Sequence, residues 1–525
     1  MFYFAYNGYV HHAYPHDELR PLTCDGVNTW GNYSLTLVDA LDTLGVMGNN
    51  TEFQRVANVV AETLNPNKDV NVSVFETNIR VIGGLLSAHL MSRHMGVAVE
   101  DDWPCNGPLL RLAERFAQKL LPAFNTPTGM PYGTVNLLHG VDPNETPETC
   151  TAAVGTYIVE FGTLSRLTGK SIYENKAMRA MFSLHSMASK IGLVGNHINV
   201  LTGVWTAVDS GVGAGVDSYF EYMVKGANLL RNTDLMTMFK KHMPSIEKYI
   251  KQGDWYMWVN MKSGAVTMPI FQSLEAFWPG LQTMVGDIEN AYKTLLNYFE
   301  VWNQFGMTPE FYSITQKAPY KLREGYPLRP ELIESILYVY KATKDPLLLQ
   351  MGKQILHAIE TTAKTECGYA TIKDVRDHTL ENRMESFFLA ETTKYLYLLF
   401  DPDNFLHNTG KQGHVVTMKD GSKCVVEAGG YIFNTEAHPM GPAALHCCHK
   451  RHVDVEEITQ FIKDLDENSY SERTSKLKYN HKRKRKFKHN VWKNKTIVNN
   501  DSRLVCPAPP HHLRLNMYGE VYVGD

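Results

Sequence analysis

Pairs of amphipathic helices joined by tight polar turns are the feature that most restricts what this chain can fold into. LTLVDALDTLGVMG (35–48) is followed at once by NNTEFQRVANVV (49–60). IVEFGTLSRLTG (158–169) leads into KSIYENKAMRAMFSLHSMA (170–188), and LIESILYVYKAT (332–343) into KDPLLLQMGKQILHAIETTA (344–363). Each pair carries a helical spacing of apolar residues and a turn rich in Gly, Thr, Lys and Asp, which predicts antiparallel helical hairpins. The first 440 or so residues are dense in this pattern and poor in strand alternation. Repeated hairpins of this kind stack into a solenoid or close into an α/α toroid. The segments between the pairs favour the toroid with a working mouth: FNTPTGMPYGTVNLLHG, GLVGNHINVLTGVWTAVDSGVGAGVD and KLREGYPLRP are long and rich in Gly, Pro and aromatics. Loops of that length and composition are commonly functional.

With 44% hydrophobic and 20% charged residues among 525, the chain has material for a large core. A formal net charge of −3 makes no general case for nucleic acid or a membrane surface. No apolar run reaches the roughly 20 residues a membrane span requires. The opening MFYFAYNGYVHHAYPHDELRPL lacks the basic flank, aliphatic core and small-residue cleavage site of a signal peptide. It reads as an aromatic helix, and any targeting address is expected in a segment preceding it. The eight cysteines show no CxxC or zinc spacing. Six N-x-S/T sequons, at Asn32, Asn49, Asn71, Asn144, Asn494 and Asn500, together with dispersed cysteines favour the secretory pathway. After about residue 450 the character changes. RTSKLKYNHKRKRKFKHNVWKNK (473–495) reads as a solvated basic tail in preference to a nuclear-import or nucleic-acid patch.

Acidic residues stand where ordinary helices do not ask for them. In VFETNIRVIGGLLSAH, Glu76 lies one turn from Arg80, with apolar residues on nearly every other side. They form either an internal pair or an i,i+4 pair on a solvated stripe. Asp217, after the Gly-rich loop in GAGVDSYFEYMVKG, reads as an N-cap or a site residue. The following Tyr219, Phe220 and Tyr222 suit either sugar stacking or core. YPLRPELIES supplies Arg329, Glu331 and Glu334 at a helix start marked by Pro330, where acids also suit the helix dipole. Glu391, in MESFFLAETTKYLYLLF, lies on a helix apolar nearly all round, so burial demands a partner, a proton or a cation. Paired carboxylates in an aromatic-rich cleft are what glycoside hydrolysis needs. No G-x-S-x-G elbow, P-loop or Rossmann glycine pattern competes.

Taken in order, HDELRP, LTLVDALDTL, VFETNIRVIGGLLSAH, GMPYGTVNL, DSYFEYMVKG, YPLRPELIES, MESFFLAETTKYLYLLF and FNTEAHP resemble the class-I α1,2-mannosidases, family 47 of the glycoside hydrolases. The resemblance is closest to the endoplasmic-reticulum degradation-enhancing α-mannosidase-like branch and covers most of the chain. It implies an all-α, (α/α)7 barrel over residues 1–440, followed by a C-terminal extension over 441–525. It further implies Ca²⁺-dependent, inverting removal of α1,2-linked mannose from N-glycans. On that resemblance Glu76 and Asp217 match residues proposed for acid catalysis, and Glu331 matches the base that activates water. Thr435 matches the residue that ligates calcium through its hydroxyl and carbonyl oxygens. Arg80, Glu310, Arg329, Glu334, Glu391 and Glu436 match the surrounding polar shell.

In FQSLEAFWPG, Ser273 and Ala276 stand where trimming members of the family carry a histidine and a cysteine. The degradation-enhancing branch shares that loss. A disulfide between Cys24 and Cys367 is implied in its place, as is a disulfide-isomerase-like oxidoreductase partner, with Cys506 as its candidate contact. The resemblance and the sequons together place the chain in the endoplasmic reticulum lumen. The leading expectation is an exo-α1,2-mannosidase that marks misfolded glycoproteins for degradation. The alternative is a mannose-binding, lectin-like receptor that has kept the cup and lost turnover. A helical scaffold without a sugar site leaves the acidic motifs unexplained.

Overall fold

The structure, a computed structural model, describes residues 1–408, 410 and 412–448. Seven inner helical segments can be followed among the described residues: 35–46, 74–91, Ile158–Thr168, Asp217–Leu230, Trp278–Met284, Glu331–Thr343 and 388–400. Each packs beside the next, and the last returns to the first, so the ring closes. Their burial explains their place. Every residue of Gly83–Met91 and of Trp278–Met284 is buried, and so is every residue of Asp217–Leu230 after Asp217 itself. A helix apolar on all sides needs neighbours on all sides.

Six of these segments run into an outer helix, five through a short turn, to Asn50–Thr63, Ile172–Ser186, 233–250, Ile288–Phe305 and Pro346–Thr362, and one through the longer loop 92–107, to Pro108–Leu120. The seventh outer position is taken by Phe2–His12, which packs on 388–400 and closes the outer layer. Outer helices bury one face; in Pro108–Leu120 it is Leu109, Leu110, Leu112, Ala113, Phe116, Ala117 and Leu120. The turns have local causes. Gly169 and Gly306 end helices in the left-handed region that glycine adopts without strain, and Asn49, Asn232 and Asp345 cap the outer helices that follow the turns. The antiparallel hairpins expected from the sequence are present, and the chain is an all-α, (α/α)7 barrel.

The strands are an addition to that expectation. Short antiparallel ladders of two to four residues rim the loops that lead from outer to inner helices, for example Asn71–Ser73 with Thr134–Asn136, and Ile270–Gln272 with Phe311–Ser313. Strands this short show no alternation to read. One hairpin is different in place: Ile432–Phe433 pairs with Pro439–Met440, and the turn between them enters the ring of inner helices.

Three disulfides staple the described residues: Cys24–Cys367, Cys105–Cys448 and Cys424–Cys447. The last two hold residues 441–448, the start of the expected extension, on the barrel. From 449 on, that extension lies outside the described residues, with its basic tail and Cys506. Among the described cysteines Cys150 is free. No helix among the described residues is long and apolar enough to cross a membrane. Because Cys24–Cys367 closes a loop with a sequence separation of 343, the Cys24→Ala/Cys367→Ala variant is expected to lose about 6 kcal/mol on the chain-entropy model. That corresponds to roughly 6 °C in Tm for a fold of this size, readable by calorimetry against the oxidised protein.

Candidate active site

The inner helices begin at one mouth, and Glu76, Asp217, Glu331, Glu334 and Glu391 sit in their first turns. Glu76 is the third residue of its helix. The Ser73 side chain caps that helix by accepting from the Glu76 amide at 3.2 Å. SVFE is thus the S-x-x-E signature of a helix start, a signal that reading Glu76 and Arg80 as a pair passed over. Arg80 donates Nε to Glu76 Oε2 at 2.7 Å, so the pair is internal. Its other nitrogens reach Ser386 Oγ at 3.0 Å and Glu436 Oε1 at 3.0 Å, and Asp39 Oδ2 lies at 3.6 Å. Both Arg80 and Glu391 sit on π-helical turns, Thr77–Ile82 and Phe388–Thr392. Such turns widen a helix and re-aim its side chains, and they recur at functional sites.

Asp217 opens its helix as the first helical residue, and its Oδ1 accepts from the Ser218 amide at 2.8 Å. Burial, with the Glu221 charge adding to it against the Ser218 amide and Arg329, raises its carboxyl to about 7. Across from it, Glu331 is the first residue of its own helix, with Pro330 immediately outside as the cap. Leu328 is held in the left-handed region, its carbonyl accepting from Thr392 Oγ1 at 2.6 Å, which turns the chain so that Arg329 and Glu331 enter the cup. Arg329 grips Glu310 through two nitrogens at 2.5 and 3.1 Å. Ser273 donates to the same carboxylate at 3.2 Å and so supports Glu310. Glu310 is correspondingly held below the usual carboxylate range despite burial, chiefly by Arg329. Glu331 has no such grip. Its Oε2 is buried without a hydrogen bond, and burial, with Glu310 and Glu334 adding to it against Arg329, raises it to about 8.

The floor is the turn 434–438. Asn434 donates to the Ile79 carbonyl and to Glu160 Oε1, both at 2.8 Å, and its own Oδ1 accepts from the amides of Glu436 and His438. Thr435 donates its amide to Tyr222 Oη at 3.3 Å. Of the five turn residues Thr435 alone keeps partial solvent access. Glu436 faces Arg80, and burial raises it to about 8. Glu391 is buried and makes no hydrogen bond among the described residues. Burial and the charges of Glu436, Glu331 and Glu334 push it well above its usual value. Glu334 accepts from Tyr395 at 3.3 Å with Lys225 at 3.5 Å, and burial raises it to about 7. The charged sequence-derived site residues therefore belong to one electrostatically connected set running from Glu76 to Asp217.

Several members escaped sequence reading because their partners are remote in the chain: Asp39, Ser386, Glu160, Lys225 and Asn434. Tyr219, Phe220 and Tyr222 resolve in favour of core, being at most 2% exposed. The gathered oxygens suit a hard cation. Thr435 Oγ1 and the Glu391 carboxylate carry no hydrogen bond among the described residues, Glu331 Oε2 is unpartnered, and burial drives several carboxyls to seek a proton or positive charge. No group of three or more His, Cys, Asp or Glu among the described residues could ligate a metal directly. A cation here would be held by Thr435 and by water, with the carboxylates as acceptors for that water.

Comparison with known proteins agrees with this geometry. The family model for glycosyl hydrolase family 47 matches residues 1–441. The chain is 56% identical to the human ER degradation-enhancing alpha-mannosidase-like protein 2, over all of this chain and 92% of that protein. It is 62% identical to the mouse protein of the same name, over 89% of this chain and 80% of that one. Among solved structures, the alpha-1,2-mannosidase from Trichoderma reesei superposes with a TM-score of 0.72 at 26% identity, covering 84% of this chain and 97% of that one.

The raised carboxyls have a signed consequence for the cation-free protein. Asp217 and Glu331 hold protons to about 7 and 8, above their unfolded values near 4. The native state therefore binds more protons, and stability falls as pH rises from about 5 to 8, with a slope of up to about 1.4 kcal/mol per pH unit for each such carboxyl. Denaturant melts across that window should show the fall, and Glu331→Gln should flatten it.

Proposed function

Because the chain belongs to glycosyl hydrolase family 47, we propose that it is an inverting exo-α1,2-mannosidase acting on the high-mannose N-glycans of misfolded glycoproteins. The observation that carries the reading is the unpartnered Glu331 carboxylate at a helix start in the cup, with a second buried carboxyl, Asp217, at the start of another inner helix. Inversion asks for one acid to protonate the leaving oxygen and one base to activate a water on the other face of the sugar.

Asp217, which burial keeps protonated to about 7, is the proton donor to the glycosidic oxygen. Glu76, ion-paired to Arg80, assists from the same side. Glu331 takes the proton of the attacking water, mounted on a rigid helix start and flanked by Arg329. Arg329 and Glu310 form a fixed pair that orients the sugar hydroxyls, and Glu334, Glu391 and Glu436 line the floor as hydroxyl and water acceptors. Calcium at Thr435, when bound, supplies the positive charge that lets Glu331 ionise near neutral pH and orders the sugar at the floor.

The relatives named above as ER degradation-enhancing proteins support an endoplasmic-reticulum setting, which for this chain is the lumen. Three disulfides in the described residues agree with an oxidising compartment. A disulfide-isomerase-like oxidoreductase accompanies the reading as partner, on the strength of the family resemblance. Incubation with a denatured high-mannose glycoprotein, Ca²⁺ and such an oxidoreductase should release mannose as the inverted anomer, seen by glycan mass profiling and NMR. Glu331→Gln should lower kcat by about 10²–10⁴-fold. Binding without trimming, with Glu331→Gln indistinguishable from wild type, would instead establish the lectin-like receptor. Chelation should lower Tm and activity together, since the cation binds only the native cup; an unchanged Tm would remove Thr435 as a ligand.

A further inference from the structure

Thr435 is mounted on a turn whose carbonyl side is held by a residue outside the site described so far. Lys394 lies on the inner segment 388–400, one turn after Glu391, and its side chain is fully buried. Its Nζ donates to the Ala437 carbonyl at 2.7 Å and pairs with Asp42 Oδ1, also at 2.7 Å. Asp42 comes from the inner segment 35–46, and its other oxygen meets His438 Nδ1 at 2.7 Å. The first and last inner segments of the ring thus close on the C-terminal half of the turn. The amide half is held by Tyr222 and by Asn434, whose side chain also accepts from the His438 amide. Between these two grips the backbone at Ala437 is left-handed, at φ +56°, a conformation an alanine keeps only where its neighbours enforce it.

A buried lysine is an uneconomical way to fill a barrel wall, since an apolar side chain of the same length packs without a desolvated charge. What Lys394 does that methionine cannot is hold a backbone carbonyl two residues past Thr435 and neutralise the acid that positions His438. We propose that Lys394 is a positioning residue for cation binding: with Asp42 it fixes the turn so that the Thr435 oxygens project into the cup in a preorganised pair. The inference rests on the reading of Thr435 as the calcium-binding residue. Without the clamp the turn can relax at Ala437, and the cation then has to order it on binding, which weakens affinity.

The test is a Ca²⁺ titration of the full chain, read by calorimetry and by the Ca²⁺-induced rise in Tm, with mannose release measured alongside. Lys394→Met should weaken Ca²⁺ binding by about tenfold or more, and mannose release should recover towards wild type at saturating Ca²⁺. A merely structural lysine would lower the Tm of the cation-free protein and leave the Kd for Ca²⁺ unchanged; that result overturns the proposal. Should Lys394→Met not fold, Asp42→Asn, which keeps the volume and removes the charge, is read in the same titration with the same two outcomes. A wild-type protein whose Tm ignores Ca²⁺ would overturn the Thr435 reading itself, and the positioning role with it. A responsive wild type whose variants bind Ca²⁺ with an unchanged Kd overturns the positioning role alone.

Discussion

Five residues of turn, 434–438, hold the centre of this barrel together. A closed ring of inner helices leaves an axial hole, and here the hole receives backbone instead of apolar side chains. Backbone placed in a protein interior brings donors and acceptors that must be met. That requirement accounts for the polar groups that have no business inside a helical wall: Asn434 on the Ile79 carbonyl, Lys394 on the Ala437 carbonyl, Tyr222 on the Thr435 amide, Asp42 on His438. It also accounts for Gly83 and Gly84. A Cβ at Gly83 would come within 2.5 Å of Asn434 Nδ2, and one at Gly84 within 3.3 Å of the His438 ring, so the helix is stripped where the turn packs.

Once the floor is polar, electrostatics shapes the rest. Helix starts accept acids readily, because amide groups and the dipole favour negative charge there. Seven inner helices opening at one mouth therefore make a natural place to collect carboxylates. Collected in a buried cup they raise one another's proton affinity, and only some receive a cationic partner. Glu310 has Arg329 and is held below the usual carboxylate range; Glu391 has none within hydrogen-bonding reach and is pushed well above it.

Much of this was legible along the chain. Helical hairpins show in apolar spacing, and their turns show in Gly, Asn and Asp. Glu76 with Arg80, and Glu331 with Glu334, are local pairs whose helical spacing alone suggests a shared face. Glu391 stood out as a carboxylate on an otherwise apolar helix, and the motif order carried the family resemblance. Less was legible where the partners are distant. Asp39 meets Ser386, Asp42 meets His438, and Cys105 meets Cys448, each across more than 300 residues of chain, and no local pattern encodes such meetings. The rim strands were invisible for a simpler reason: two to four residues are too few to display alternation.

The sequence by itself determined the helices, their pairing and the inventory of acids, since these depend on neighbours within about a turn. Tertiary structure alone decided which acid is gripped and which is left to its proton, because that depends on burial and on charges arriving from other helices. It also decided that Glu76 and Arg80 face inward, that Tyr219 and Tyr222 are core, and that Lys394 reaches a turn more than forty residues away in the chain. A carboxylate's chemistry is a property of its surroundings, and those exist only after the ring has closed.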